Sequence, residues 1–153
     1  MRTRLLSAAL VAGVLLVPAA AVGRPASGTV VKAVFNKTLK TAILVAARGR
    51  TVYLLTYDTK GSPTCARVDP GCPKIWPAVT SAGAPVAGAG VEQRLLGIVK
   101  GADGSRQVTY NRHPLYYYEN DSAAGDVNGQ ACYGIWYVLS PRGAAIHKHG
   151  PQC

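Results

Sequence analysis

The sequence predicts an all-β fold: two tandem, pseudo-symmetric antiparallel repeats packed as a sandwich or small barrel. Three observations carry that prediction. Apolar residues fall in short runs broken by Gly, Asn, Pro and Asp, which is the spacing of short strands and turns. A tyrosine followed five positions later by an aspartate occurs as Tyr53/Asp58 and again as Tyr116/Asp121. The run Cys72-Pro73-Lys74-Ile75-Trp76 returns as Cys132-Tyr133-Gly134-Ile135-Trp136, so C-x-x-I-W follows Y-x-x-x-x-D in the same order both times.

The elements follow from local chemistry. Val30 to Phe35 reads as a strand ending in a turn at Asn36-Lys37. Thr41 to Ala47 is a second strand, rich in β-branched residues, and Arg48-Gly49-Arg50 turns it into a third over Thr51 to Thr56. Helix is expected only at Cys72 to Trp76 and in a brief turn near Ala123. Ser81 to Gly90, composed of Gly, Ala, Pro, Val and one Ser, reads as a linker. Repeat one is thus placed at 29–80, the linker at 81–90, repeat two at 91–141 and a C-terminal tail at 142–153.

Met1 to Gly23 has a basic start (Arg2, Arg4), an apolar run from Leu5 to Val17 and then small residues. That is the layout of a secretory signal peptide, and the apolar run is too short for a stable transmembrane helix. Cleavage after Ala21 or after Gly23 would leave residues 24–153 as one exported domain. Removing Arg2 and Arg4 from the 17 basic residues leaves fifteen against seven acidic ones, a net charge of +8. Such a surface attracts anionic cell-envelope components. The basic residues are scattered without a run of three, so no specific nucleic-acid site is expected.

Four cysteines in an exported chain predict disulfides. Three pairings exist, and Cys65–Cys72 with Cys132–Cys153 is favoured because both close short segments. Neither has the C-x-x-C spacing of a thiol oxidoreductase.

These residues resemble the family of exported secreted repeats of unknown function, predicted lipoproteins with a Y-x-(F/W/Y)-x-x-D motif. Tyr116-Tyr117-Tyr118-Glu119-Asn120-Asp121 fits that pattern outright, whereas the first copy has Leu55 at its second aromatic place. Gly49 to Tyr53, Gln107 to Asn111 and Gly134 to Val138 are similar to the family as well. No cysteine stands near the cleavage site, so the lipid anchor is not carried over. The resemblance implies a class and a compartment; the family's activity is itself unknown.

In a strand, Tyr116 and Tyr118 share one face and Leu115 and Tyr117 the other. A face that accepts Tyr118 or Leu55 reads as packing rather than as a platform for sugars or bases. Asp58 and Asp121 read as caps for backbone N–H groups two or three residues on. Asp121, Asp126 and Asn128 have ligand types suited to Ca²⁺ in a spacing that misses the calcium-loop pattern. Trp76 and Trp136 are expected as anchors of the repeat core. His147 and His149, with His113 and Cys153 as further ligands, are the candidate metal site.

No catalytic motif accompanies these residues, and no cofactor is implied. The expectation is a non-enzymatic exported protein, a binding or cell-envelope interaction module. The alternative is a metal- or redox-linked envelope protein using the histidine tail, and a hydrolase ranks third.

Overall fold

The first apolar run forms β1 (Val30–Asn36), which turns back at 37–40 into β2 (Thr41–Val45), with Lys32 opposite Val45 and Asn36 opposite Thr41. The Asn36 side chain accepts the Leu39 N–H at 2.8 Å, fixing that turn. The computed structural model describes residues 27–59, 61–150 and 153. The expected signal peptide, residues 1–23, lies outside them. A single 3₁₀ turn at Ala47–Gly49 then leads to β3 (Tyr53–Leu55).

Two one-turn helices follow, α1 (Cys65–Val68) and α2 (Cys72–Ile75). The second is the helix read from the sequence, and the first was not expected. β4 (Val86–Ala87) precedes a hairpin of β5 (Leu96–Lys100) and β6 (Arg106–Tyr110). Asn111 and Arg112, both at positive φ, form the two-residue turn into β7 (His113–Pro114). β8 (Trp136–Val138) pairs antiparallel with β3. The strands therefore lie in three small sheets, ordered β2-β1-β4, β3-β8 and β5-β6-β7, and none of these closes into a barrel.

The 81–90 segment corrects the linker expectation. β4 runs parallel to β1, with Val30 opposite Val86, and Gly88 N–H donates to Val31 O at 2.7 Å. Gly90 has φ +72°, and a Cβ there would come within 2.8 Å of Ala33 Cβ. The small residues serve close packing on β1 rather than flexibility.

A row of four segments crosses the middle of the molecule. Tyr53 and Tyr116 exchange N–H···O bonds of 2.8 and 3.0 Å. On its far side Tyr53 faces Val138, and on its far side Tyr116 faces Ala78. The outer pairings match in detail. Thr56 N–H donates to Ile135 O and Glu119 N–H to Ile75 O, both at 2.9 Å. The two donors hold the same place after Tyr53 and Tyr116, and the two acceptors are the isoleucines of the two C-x-x-I-W runs. Each tyrosine motif thus pairs with the tryptophan segment of the other half.

Side-chain alternation separates two clusters, as the strand period requires. Tyr53, Leu55, Tyr116 and Tyr118 join Trp76 and Trp136 in one. Val52, Leu54 and Leu115, with Tyr117 against them, belong to the other.

Candidate functional site

The two motif tyrosines are crossed with the two motif aspartates. Tyr53 Oη donates to Asp121 Oδ2 at 2.7 Å, and Tyr116 Oη donates to Asp58 Oδ2 at 2.9 Å. The other oxygen of each carboxylate holds a loop. Asp58 Oδ1 accepts Thr64 N–H and Oγ1–H at 2.7 and 2.8 Å, and Asp121 Oδ1 accepts Asn128 N–H at 2.9 Å. The expected caps two or three residues on are therefore replaced by donors six and seven residues on, because each carboxylate turns inward towards the opposite tyrosine. Local turn capping falls instead to Asp126, whose Oδ2 accepts Ser122 and Ala123 N–H at 3.0 and 2.8 Å.

Burial raises both carboxyl groups above the usual range, opposed for Asp58 by the Thr64 and Tyr116 donors and for Asp121 by Tyr53 and Asn128. Burial, and then the neighbouring carboxylate, pushes the Tyr53 and Tyr116 phenols far up. With Tyr53 inaccessible and Tyr116 2 % exposed, these pairs lock the fold.

The remaining aromatic residues complete that core. Trp76 stacks on Trp136 with centroids 4.0 Å apart and planes 4° apart, and on Tyr118 at 4.4 Å. Tyr53 and Tyr116 meet the indoles edge-on at 5.3 and 5.1 Å. At 3 % exposure, neither tryptophan offers a face to a sugar or base. Gly129 closes the cage, since a Cβ there would sit 2.6 Å from Trp76 Cη2.

Several other candidates are placed as follows. The disulfides are Cys65–Cys72 and Cys132–Cys153, the favoured pairing. Cys153 is thereby taken from any metal site. His147 and His149 are exposed, and the His147 ring lies 4.6 Å from Tyr137. Among the described residues no three His, Cys, Asp or Glu gather in a metal-binding group. Asp121, Asp126 and Asn128 spend their polar atoms on the loop and on Tyr53, Asn128 Nδ2 donating to Asn120 O at 3.1 Å.

The open feature is one that sequence reading missed. A cleft of about 510 Å³ lies beside the Trp76 edge, walled by Pro63, Pro73, Pro77, Ala66 and Ala78. Thr80, Gln107 and Tyr116 supply polar points, and the β5–β6 turn contributes Gly101, Ala102 and Asp103. Asp103 is exposed, and its carboxyl is held below the usual range by the Ser105 hydroxyl and N–H. The proline and alanine content of this wall was the available signal, but composition alone does not show that the residues converge.

Residues 97–140 match the family described as the secreted repeat of unknown function. No curated protein and no solved structure matches the chain. Among the described residues no helix is long and apolar enough to cross a membrane.

Proposed function

We propose that this chain, which carries a secreted repeat of unknown function over residues 97–140, is an exported, non-enzymatic binding module whose ligand site is the cleft beside Trp76. The observation that carries the reading is a contrast. The conspicuous aromatic and acidic residues are consumed by the core, while an apolar cleft with a few polar points stands open on a rigid frame. The two disulfides and the secreted-repeat match support a location outside the cytoplasm. The matched hydrogen bonds across the central row support two duplicated units over 29–80 and 91–141 that exchange their motif partners.

The basic surface would bring the module to anionic envelope material, and the cleft would confer selectivity. The test is an amide NMR titration of the exported chain with solubilised envelope polymers, alongside Asp103→Leu, which fills the cleft mouth. Saturable shifts at Ala66, Ala78 and Thr80 that vanish in the variant are expected. Shifts spread over surface lysines alone and unchanged in the variant would reject the cleft as the site.

A further inference from the structure

The two ends of the central row differ. Beyond Val138 the row continues into the chain's own tail. Ile146 N–H donates to Val138 O and Ser140 N–H to Ala144 O, both at 2.9 Å, so 144–146 forms an added antiparallel segment. Gln130 secures it, its Oε1 accepting Val138 N–H at 2.9 Å and its Nε2 donating to Ile146 O and Lys148 O at 2.6 and 2.8 Å. The Ile146 side chain enters the aromatic core cluster, and Lys148 Nζ donates to Leu39 O at 2.8 Å.

At the other end, Ala78 follows Trp76 at the place where Val138 follows Trp136, and Thr80 stands where Ser140 does. Ala78 faces Tyr116 as a pair whose ladder bonds are made by its neighbours: Tyr117 N–H to Pro77 O at 2.8 Å and Val79 N–H to Leu115 O at 2.9 Å. Alternation along an antiparallel strand then turns the Ala78 N–H and C=O, and the Thr80 N–H, outward to the cleft. The plugs of the other half are missing here. Gln130 stands just beyond the Asn128 that caps Asp121, but Ala66 holds that place beyond the Thr64 that caps Asp58. Leu39 stands in the four-residue turn after β1, whereas the longer turn after β5 brings Asp103 to the cleft.

We propose that the cleft binds an extended peptide segment of a partner protein, of the pattern small-small-aliphatic-any-basic, as an added strand along Ala78 to Thr80. The reading rests on the cleft being a ligand site and names its ligand class. The peptide donates its aliphatic residue's N–H to Ala78 O and accepts Thr80 N–H, as residues 146 and 144 do in the other half. Its aliphatic side chain fills the volume that Ile146 and Leu39 fill there, and its basic residue meets the Asp103 carboxylate. Main-chain bonds supply affinity and the pocket supplies selectivity.

The probe is the blocked octapeptide GAAIHKHG, the sequence of residues 143–150, titrated into the full exported chain and followed by amide NMR. Saturable shifts at Ala78 and Thr80 are expected. Methylating the isoleucine N, or replacing that isoleucine by Gly, should weaken binding at least ~10-fold, the scale of one lost hydrogen bond or apolar anchor. Asp103→Leu should abolish binding with the melting temperature retained, and Asp103→Asn should weaken it for the lysine peptide but not for a lysine-to-alanine peptide.

Unaltered Ala78 and Thr80 amides, or equal binding of the N-methylated peptide, would overturn the proposal. If envelope polymers still shift the cleft amides in that case, the binding reading survives and only the peptide falls. If neither ligand shifts them, both fall. The same shifts appearing on concentration without peptide would make a second copy the occupant and overturn the partner.

Discussion

The Tyr53 hydroxyl reaches Asp121 in the second motif rather than Asp58 of its own, and the hydrogen bond is 2.7 Å long. Tyr116 returns the exchange with Asp58 at 2.9 Å. The Y-x-x-x-x-D spacing therefore does not bring its own two ends together. It presents a donor and an acceptor to the opposite motif, and the stacked tryptophans fill the space between.

Removing either hydroxyl leaves a buried carboxylate one donor short. Tyr53→Phe and Tyr116→Phe should each cost about 1–3 kcal/mol of stability. Urea unfolding of the two variants, with unchanged m-values, checks this.

Alkaline pH should separate the buried phenols from the rest. Tyr53, Tyr116 and Tyr117 are all raised, chiefly by burial, so their ionisation lags in an ultraviolet titration of the folded chain. A raised folded pKa contributes stability that is present below the unfolded value of about 10 and lost as pH rises through the folded one. Tyr53→Phe combined with Tyr116→Phe should accordingly flatten the alkaline fall in melting temperature.

The aspartates act at the other end of the scale with the same sign. Asp58 and Asp121 are raised by burial, so their titration favours folding most below the ordinary aspartate range and loses that contribution as pH rises through the folded value. Relative to Asp58→Asn or Asp121→Asn, the native chain should gain stability on acidification from neutral pH. Melting curves of each variant from neutral to mildly acidic pH test the slope.

The aromatic stack tolerates neither loss nor addition. Trp136→Ala should destabilise by about 3–5 kcal/mol, through lost burial and the cavity beside Trp76. Gly129→Ala forces a methyl into the Trp76 ring edge and should be destabilising despite adding a single carbon. Thermal unfolding with near-ultraviolet circular dichroism reports both the stability and the indole packing.

The strand alternation and the disulfide pairing were legible because each is written in spacing. The same Y-x-x-x-x-D and C-x-x-I-W runs recur in order, Tyr116 and Tyr118 alternate with Leu115 and Tyr117, and the bonded cysteines are near neighbours in sequence. The partner exchange was not legible, since an offset says which residues are equivalent but not which copy supplies a contact. The 81–90 segment misled because Gly and Ala suit a flexible connection and a close backbone approach equally well. The pairing of 144–146 on Val138 was not legible, because the Gln130 side chain that secures it leaves no periodic trace. The cleft was not legible because its walls come from separate segments, around Pro63, Pro73 and Asp103, and no spacing shows that they converge.

The most direct test of the crossed architecture is a pair of double-mutant cycles on unfolding free energy. Tyr53→Phe with Asp121→Asn should show a coupling of about 1 kcal/mol or more, and Tyr53→Phe with Asp58→Asn a coupling near zero. Coupling of Tyr53 to Asp58 instead, with none to Asp121, would contradict the exchange.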